Sequence, residues 1–325
     1  MSSEKEFSRV APGATGVDPN HPARARFRIV DAERAIIEPV DGVWRKKFAI
    51  CGFAASTRMM APFDDPNYYI AILNQLNRHV PRADFHWDIH RNWREENVAG
   101  TDHPGYLAEC DMPVFMTQTE PSIPTSVRFP LEQAMERVVG IDYFTSTVAF
   151  MVAWTIMQID QQVDAEVAAL EQRLSDAETG IVDDDVAALL KNPRKFRAWL
   201  SDRYAEREIA IFGIDLVVGT EYDWQKSCVE YMLGLANARG ITVRIPPQCA
   251  LLKQRWRYGY EAEPQGELIR LSELQKRATN LANERAQLIA RLQTIDGAAQ
   301  ENAYWTQVSD LRSKGAHVRL NEDTA

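Results

Sequence analysis

Two apolar stretches that end in glycine carry the clearest structural signal along the chain. The run 48–51 precedes Gly52, and the run 209–212 precedes Gly213. Short uninterrupted apolar runs of this kind are typical of parallel strands that are buried on both faces. In open α/β sheets, ligands bind beyond the carboxyl ends of such strands. The pattern therefore predicts that both strands end at one crevice, which we interpret as a nucleotide site.

The rest of the N-terminal two thirds alternates short apolar runs with helical periodicity. Strands are predicted over Lys47–Cys51, Tyr69–Leu73, Ala83–Ile89, Val114–Met116, Ile209–Ile214 and Ile241–Ile245, with a Pro-rich loop through Pro130 and helices over 143–160 and 224–239. Residues 160–206 are acidic and amphipathic, which favours a helical insertion over a long loop. The predicted fold class is α/β, a Rossmann-like and mainly parallel sheet with that insertion.

The C-terminal part has a different period. Apolar residues recur every three or four positions at Leu271, Leu274, Ala278, Leu281, Leu288, Leu292 and Ile295, with Arg285 interrupting the series. This approximates a heptad seam and predicts a coiled-coil-like helical extension that self-associates through residues 265–312. Gly297 leaves two alternatives open. It either bends the chain into an intrachain hairpin or lies within one long helix whose seam meets another subunit.

These patterns divide the chain into three parts. Residues 1–43 begin with a stretch rich in Gly, Pro and Ser and are predicted to form a flexible N-terminal arm. Residues 44–260 form the Rossmann-like domain with its insertion at 160–206, and residues 261–325 form the helical extension.

Composition narrows the function classes. The 325-residue chain has a net charge of −9, so no general polyanion-binding surface is indicated, and a nucleic-acid acceptor has no support. The four cysteines are far apart and form no CxxC pair, which argues against a zinc site. No apolar run is long enough to span a bilayer, and the N-terminus lacks the apolar core of a signal peptide. We expect a cytoplasmic protein without a membrane partner.

Polar residues at the first two strand ends are candidates for ligand contacts. Small residues follow Gly52 and lead to Ser56 and Thr57, so the backbone can approach a phosphate and two hydroxyls can donate to it. Asn74 follows the second strand, and its amide can contact a base edge or a sugar hydroxyl. The structural alternatives are a tight turn at Gly52 and a turn residue at Asn74.

The second glycine-terminated strand leads into an acidic segment. Asp215 follows Gly213, and Glu221, Tyr222 and Asp223 come a few residues later. A carboxylate at a strand end is well placed for ribose binding or general-base catalysis. The structural alternative is a helix N-cap or a surface loop.

Histidines and hydroxyls supply the remaining candidates. His86 and His90 share one face of a predicted strand with Asp88 between them. No third group of ligands accompanies them, so no metal site is predicted, and His90 at the strand end is the candidate catalytic histidine. Thr145 and Ser146 stand where a helix begins, and hydroxyl side chains there bind free backbone N–H groups.

The order of these motifs resembles a known family. The motifs are the Gly52–Thr57 loop, Leu73-Asn74-Gln75, Tyr143–Val148, Ile211–Asp215 and Gly219–Tyr222, within residues 47–252. Their order is similar to that in the bacterial sialyltransferases of glycosyltransferase family 42 and in the related motility-accessory-factor domain. A group of uncharacterised tailed-phage proteins with a Rossmann-like core and a helical C-terminal extension is also similar.

The resemblance implies roles for individual residues. Gly52–Ser56 would face the donor phosphate and ribose, Asn74 the cytidine, Thr145 and Ser146 the nucleotide, and Gly213, Asp215 and Tyr222 the second half of the donor site. The family's general base is a histidine beyond the Gly-Ile-Asp strand, whereas this chain has no histidine between Leu216 and Ala316. A carboxylate, Glu221 or Asp223, would then replace it.

The sequence therefore predicts a nucleotide-sugar-dependent glycosyltransferase whose donor is a substrate and which needs no further cofactor. The alternative is a non-catalytic phage structural or accessory protein, with a nucleotide-binding-like core and an oligomerising helical tail.

Overall fold

The computed structural model describes residues 16–94, 102–177, 184–216, 223–253 and 271–313. The chain separates into two compact units, 1–255 and 256–325. The first unit contains the sheet, and the second contains one long helix. The strands of the described residues are β1 (Phe27–Asp31), β2 (Ile36–Pro39), β3 (Lys47–Cys51), β4 (Tyr68–Leu73), β5 (Phe85–Trp87), β6 (Val114–Met116), β7 (Ser126–Arg128), β8 (Glu208–Phe212) and β9 (Thr242–Arg244).

A seven-stranded sheet in the order β7-β6-β5-β4-β3-β8-β9 forms the centre of the first unit. Each neighbouring pair in it is parallel. The chain moves outward from β3 to β7 on one side and then returns to place β8 on the other side of β3. The predicted α/β fold with a Rossmann-like parallel sheet is therefore confirmed, and the strand order reverses between β3 and β8.

The central strands are buried on both faces, which explains their uninterrupted apolar sequences. Every residue of β4 is buried. In β3, Phe48 and Ile50 belong to one apolar core cluster, and Ala49 and Cys51 belong to the cluster on the opposite face. Successive strand residues point to opposite faces, so two apolar layers require apolar residues at every position. The sequence at 126–128 lacks this signal, and β7 lies inside the segment that was predicted as a loop.

The helices of the first unit are α1 (His103–Glu109), α2 (Leu131–Ala134), α3 (Thr147–Ala177), α4 (Asp184–Leu190), α5 (Pro193–Ala205) and α6 (Asp223–Ala238). Helix α3 has 31 residues and continues well past the predicted end at residue 160. Its first part packs on the sheet, and beyond Val163 none of its described side chains is buried. The predicted helical insertion at 160–206 thus begins as a continuation of a core helix, followed by α4 and α5.

The prediction of a flexible arm over 1–43 is wrong for the part that the structure describes. Strands β1 and β2 pair as an antiparallel hairpin. Ala25, Ala35 and Ile37 belong to the main apolar core, and the Phe27 ring lies 4.4 Å from that of Phe85. Polar residues stand between these few apolar ones, so the composition of the segment did not indicate that it forms a packed hairpin.

A buried ion pair fastens this hairpin segment to the sheet. The Asp84 carboxylate accepts hydrogen bonds from the backbone N–H groups of Ala25 (2.6 Å) and Ile70 (2.7 Å). The Arg82 guanidinium lies 2.9 Å from the same carboxylate, and both side chains are fully buried. Arg82 also donates to the carbonyls of Phe63 and Tyr68. Asp84 and Arg82 therefore join three separate segments of the chain.

The second unit contains helix α7 (Leu271–Ser313), which is continuous over 43 residues. Gly297 lies within it, so the alternative of a hairpin bent at Gly297 is wrong. Among the described residues, no helix is both long enough and apolar enough to cross a membrane. All four cysteines (Cys51, Cys110, Cys228 and Cys249) are buried free thiols.

Candidate functional site

A cleft of about 650 Å³ opens at the carboxyl edge of the sheet, beside the point where the strand order reverses. Its lining residues follow β3, β4, β5 and β8 or begin α3 and α6, and they include Gly52, Asn74, His90, Thr145, Ser146, Gly213, Asp215 and Gln225. The prediction that the ends of the two glycine-terminated strands and of the Asn74 strand share one pocket is confirmed. Whether these residues bind a ligand remains a prediction.

Two glycines form the crossing of the β3 and β8 loops at the cleft floor. Gly213 has a φ of +65°, and a Cβ on it would overlap the carbonyl of Gly52. A Cβ on Gly52 would lie only 2.6 Å from the Gly213 carbonyl oxygen. The Ala54 N–H donates to that same oxygen at 2.8 Å. Both glycines are therefore required by the backbone itself, and they also leave the cleft floor without side chains.

The two hydroxyls after the Gly52 loop have different positions. Thr57 is fully buried, and its hydroxyl oxygen accepts the Gly213 N–H at 2.7 Å. Ser56 donates its hydroxyl to the Asp215 carboxylate at 2.9 Å. Neither residue lines the cleft itself. Thr57 therefore braces the loop crossing, and Ser56 orients the carboxylate of Asp215, which does line the cleft.

Asn74 follows β4 with a left-handed backbone, at a φ of +48°. Asparagine tolerates this region better than most residues because its short polar side chain can hydrogen-bond locally. Its side-chain oxygen is buried and has no hydrogen-bond partner among the described residues. A buried amide oxygen without a donor is costly, and Asn74 lines the cleft. A ligand that donates a hydrogen bond here would remove that cost.

Two helices begin at the cleft. The Ser146 hydroxyl accepts the Ala149 N–H at 3.2 Å and so caps α3. The Thr145 hydroxyl donates to the carbonyl of Trp224 at 3.1 Å. This bond connects the start of α3 to the first turn of α6, in which Gln225 also lines the cleft. Helix N-termini carry partial positive charge and free N–H groups. The two helix starts therefore favour an anionic group in this part of the cleft.

A histidine with a carboxylate behind it occupies the β5 end of the cleft. The His90 side chain is 35% exposed, and its Nδ1 lies 3.3 Å from Oδ1 of Asp88. The second carboxylate oxygen of Asp88 lies 2.7 Å from Nε2 of His103, and the Asp88 and His103 side chains are both buried. Burial alone would raise the pKa of Asp88. The hydrogen bonds from His103 and His90 outweigh that effect and hold this pKa well below its usual range.

His86, which lies within β5, does not have this role. His86 is completely buried, with its ring 5.8 Å from that of His103 and 5.5 Å from that of Tyr106. Burial, reinforced by the charge of His103, lowers the pKa of His86 to about 3. His86 is therefore neutral at physiological pH. Among the described residues, no group of three or more His, Cys, Asp or Glu side chains could hold a metal ion.

Three predicted site residues remain to be placed. Glu221 and Tyr222 lie outside the described residues, and Asp223 is the first residue of α6. Sequence reasoning missed His103. His103 belongs to none of the strands or motifs that the sequence indicated, and only the folded chain brings it to Asp88. The signal for Asp88 was its position on the strand face shared with His86 and His90.

Comparisons with protein-family models, with curated proteins and with solved structures found no match.

Proposed function

We propose that the cleft binds a nucleotide-activated sugar and that the protein transfers the sugar to a hydroxyl acceptor. The volume of about 650 Å³ is in the range of small-molecule sites, which is about 300–1,000 Å³. The cleft stands at the strand-order reversal, where open α/β sheets bind nucleotides. Its polar groups are few and converge from four strand ends and two helix starts, as a site that orients one ligand requires.

The observation that carries this proposal is the buried side-chain oxygen of Asn74, which accepts no hydrogen bond from the part of the chain that the structure describes. A base amino group or a sugar hydroxyl donates the hydrogen bond that this oxygen lacks. Asp215 accepts a hydrogen bond from Ser56, and a carboxylate beyond a strand end is well placed to contact ribose hydroxyls. The starts of α3 and α6 would then hold the phosphate between these two polar contacts.

His90 is the candidate general base among the described lining residues. His90 lines the cleft, and with Nδ1 directed at the Asp88 carboxylate, Nε2 is the nitrogen that can accept a proton. In the proposed transfer, Nε2 takes the proton of the acceptor hydroxyl as its oxygen bonds to the anomeric carbon. The bond from that carbon to the phosphate oxygen breaks, and the phosphate keeps the electron pair. The helix starts stabilise the charge that grows on this leaving group. Glu221 and Asp223 remain predicted alternatives for the base.

A non-catalytic role is the second candidate, and helix α7 is the observation that favours it. Its apolar positions Leu281, Leu288 and Leu292 are all more than half exposed, which is typical of a surface that binds a protein partner. In that case the core binds a nucleotide without transferring a sugar, and assembly is the main activity.

A binding measurement tests whether the cleft takes a nucleotide or nucleotide sugar, which both candidate functions require. We expect one of the CMP-, UDP- or GDP-sugars to raise the melting temperature of the full-length protein, because a ligand that binds only the folded state stabilises it. Asn74→Asp keeps the side-chain shape and tolerates the left-handed backbone, but it adds charge beside the ligand and should weaken binding at least about tenfold. The control is Asn20→Asp, an exposed asparagine outside the cleft lining.

Turnover then separates the two candidates. Release of free nucleotide and transfer to an acceptor are measured for the wild type and for His90→Gln. The transferase proposal predicts that His90→Gln loses at least about a hundredfold in kcat with binding retained. Binding without turnover in the wild type would favour the non-catalytic role. The absence of a stabilising effect with every nucleotide and nucleotide sugar would contradict both.

A further inference from the structure

Helix α7 presents an apolar stripe to solvent. Leu281, Leu288, Leu292 and Ile295 are 53, 57, 58 and 56% exposed. The helix is continuous from Leu271 to Ser313, so its second half cannot fold back over its first. Exposed leucines and isoleucines at heptad spacing, rather than scattered singly, indicate a surface that is covered in the assembled protein.

We propose that the seam Ala278–Ile295 binds a second copy of the same chain as an antiparallel two-helix coiled coil. A partner for this seam must repeat its apolar positions with the same period, and an identical helix does so by definition. A twofold axis makes such an interface self-complementary, because the same patch serves both copies. The twofold axis passes between Arg285 and Leu288, so Arg285 of each copy faces Leu288 of the other copy.

Packing across the seam favours the antiparallel orientation. It places Leu281 opposite Leu292 of the second copy and Ala278 opposite Ile295. Small residues then face large ones, which fills the core without voids. A parallel, in-register pair would instead place Arg285 against Arg285, and Ala278 against Ala278. In the antiparallel pair the Arg285 stem packs along Leu288 while its charged head reaches water.

Charges beside the seam favour the same orientation. Glu284 and Arg291 occupy equivalent flanking positions, one heptad apart. In an antiparallel pair these flanks face each other, so Glu284 of each copy meets Arg291 of the other. In a parallel pair Glu284 would face Ile289 instead. Exposed ion pairs add little affinity, but they select orientation and register.

Light scattering on the full-length protein tests the assembly. We expect twice the mass of the chain at micromolar concentration. Leu281→Glu combined with Leu292→Glu should give a monomer, with the dissociation constant raised by more than about a thousandfold, since each buried leucine contributes at least about tenfold. Asn283→Glu with Gln293→Glu adds the same charge on the exposed opposite face and should remain a dimer. A monomeric wild type, or a dimer that survives the leucine substitutions, would overturn the proposal.

Disulfide trapping tests the orientation. Ala278→Cys and Ile295→Cys proteins, mixed and oxidised, should form a cross-link between position 278 of one copy and position 295 of the other. The four native cysteines are buried and do not compete. Alone, Ala278→Cys should not cross-link, because the two copies of position 278 would be about 25 Å apart along the axis. A disulfide needs Cα atoms within about 7 Å. Efficient cross-linking of Ala278→Cys alone would show a parallel pair and contradict the proposal.

A charge exchange provides an independent check. Glu284→Arg and Arg291→Glu should each weaken the dimer by about two- to fivefold at low salt, and the double variant should recover wild-type affinity. Failure of the double variant to recover would overturn the antiparallel register.

Discussion

At the scale of single residues, His86 makes the stability of the sheet sensitive to acid. Its folded-state pKa is about 3 because it is buried, whereas an unfolded histidine titrates near ~6.5. Between that pH and pH ~3, the histidine is protonated in the unfolded chain but stays neutral in the folded chain. Stability that is fully present above pH ~6.5 is therefore lost as the pH falls toward ~3, by up to ~1.4 kcal/mol per pH unit.

The variant His86→Leu isolates this effect. We expect its unfolding free energy, measured in urea between pH 7 and pH 4.5, to fall less steeply with acidification than that of the wild type. Subtracting the two curves removes the titration of groups common to both proteins. Parallel curves would contradict the prediction, whatever the absolute stability of the variant.

The glycine crossing at the cleft floor gives a second prediction at this scale. Gly213→Ala should destabilise the protein by about 3 kcal/mol, because it combines a left-handed backbone with a clash against the Gly52 carbonyl. Gly234→Ala is the matched control. Gly234 lies within α6 with nothing within 4 Å of its added Cβ, so alanine should stabilise by about 0.5–1 kcal/mol. Equal effects of the two changes in urea unfolding would exclude the proposed role of the crossing.

At the scale of elements, the start of α3 combines a structural role with a proposed binding role, and two variants separate them. Ser146→Ala should cost about 0.5–1 kcal/mol of stability, because the Ala149 N–H loses the hydroxyl acceptor and keeps only the backbone carbonyl of residue 146. Ser146→Asp should retain the cap and stay near wild-type stability. Its charge should nevertheless repel a phosphate and weaken nucleotide binding. A Ser146→Asp protein that binds nucleotide as well as the wild type would argue against a phosphate at this helix start.

The sequence predicted those elements whose signal is local. β3 and β6 have the predicted bounds, because burial on both faces demands continuous apolar runs. The hairpin β1–β2 was missed because exposed positions alternate with half-buried ones in β1 and with buried ones in β2, in a polar context. The length of α3 was underestimated because its burial ends at Val163, although the helix itself continues to Ala177.

Some residues of the candidate site could likewise be predicted from the sequence, and others could not. Asn74, Asp215 and His90 follow strands of one parallel sheet, so their convergence could be predicted from strand ends alone. The contact between His103 and Asp88 could not, since it depends on where α1 packs after the intervening chain. The burial of Thr57 was also unpredictable, because it results from the crossing of the β3 and β8 loops.

At the scale of the whole molecule, the buried pair Arg82–Asp84 joins the N-terminal segment to the sheet. Removing one partner leaves an uncompensated buried charge, so Asp84→Ala should cost about 3–5 kcal/mol. The double variant Arg82→Leu/Asp84→Leu should lose less unfolding free energy than the sum of the losses of Arg82→Leu and Asp84→Leu, by at least ~1 kcal/mol.

An exposed pair of the same chemistry is the control. Arg28 and Glu38 lie across the β1–β2 hairpin with side chains 72% and 49% exposed, and Glu38→Ala should change stability by less than about 1 kcal/mol. Urea unfolding of all these variants provides the measurement. Similar losses for Asp84→Ala and Glu38→Ala would contradict the anchoring role of the buried pair.

Because all four cysteines are buried, the rate at which each thiol reacts reports how often the structure around it opens. Burial raises the pKa of the Cys51 thiol to about 12, and Cys249 contacts the Ile214 carbonyl behind the cleft at 2.8 Å. A thiol reagent can therefore react only when the surrounding structure opens. We expect labelling of the native protein to be slow at every cysteine, and a bound nucleotide to slow Cys249 more than Cys110. Mass spectrometry of each cysteine over time would then show, without any engineered label, which part of the fold the ligand holds closed.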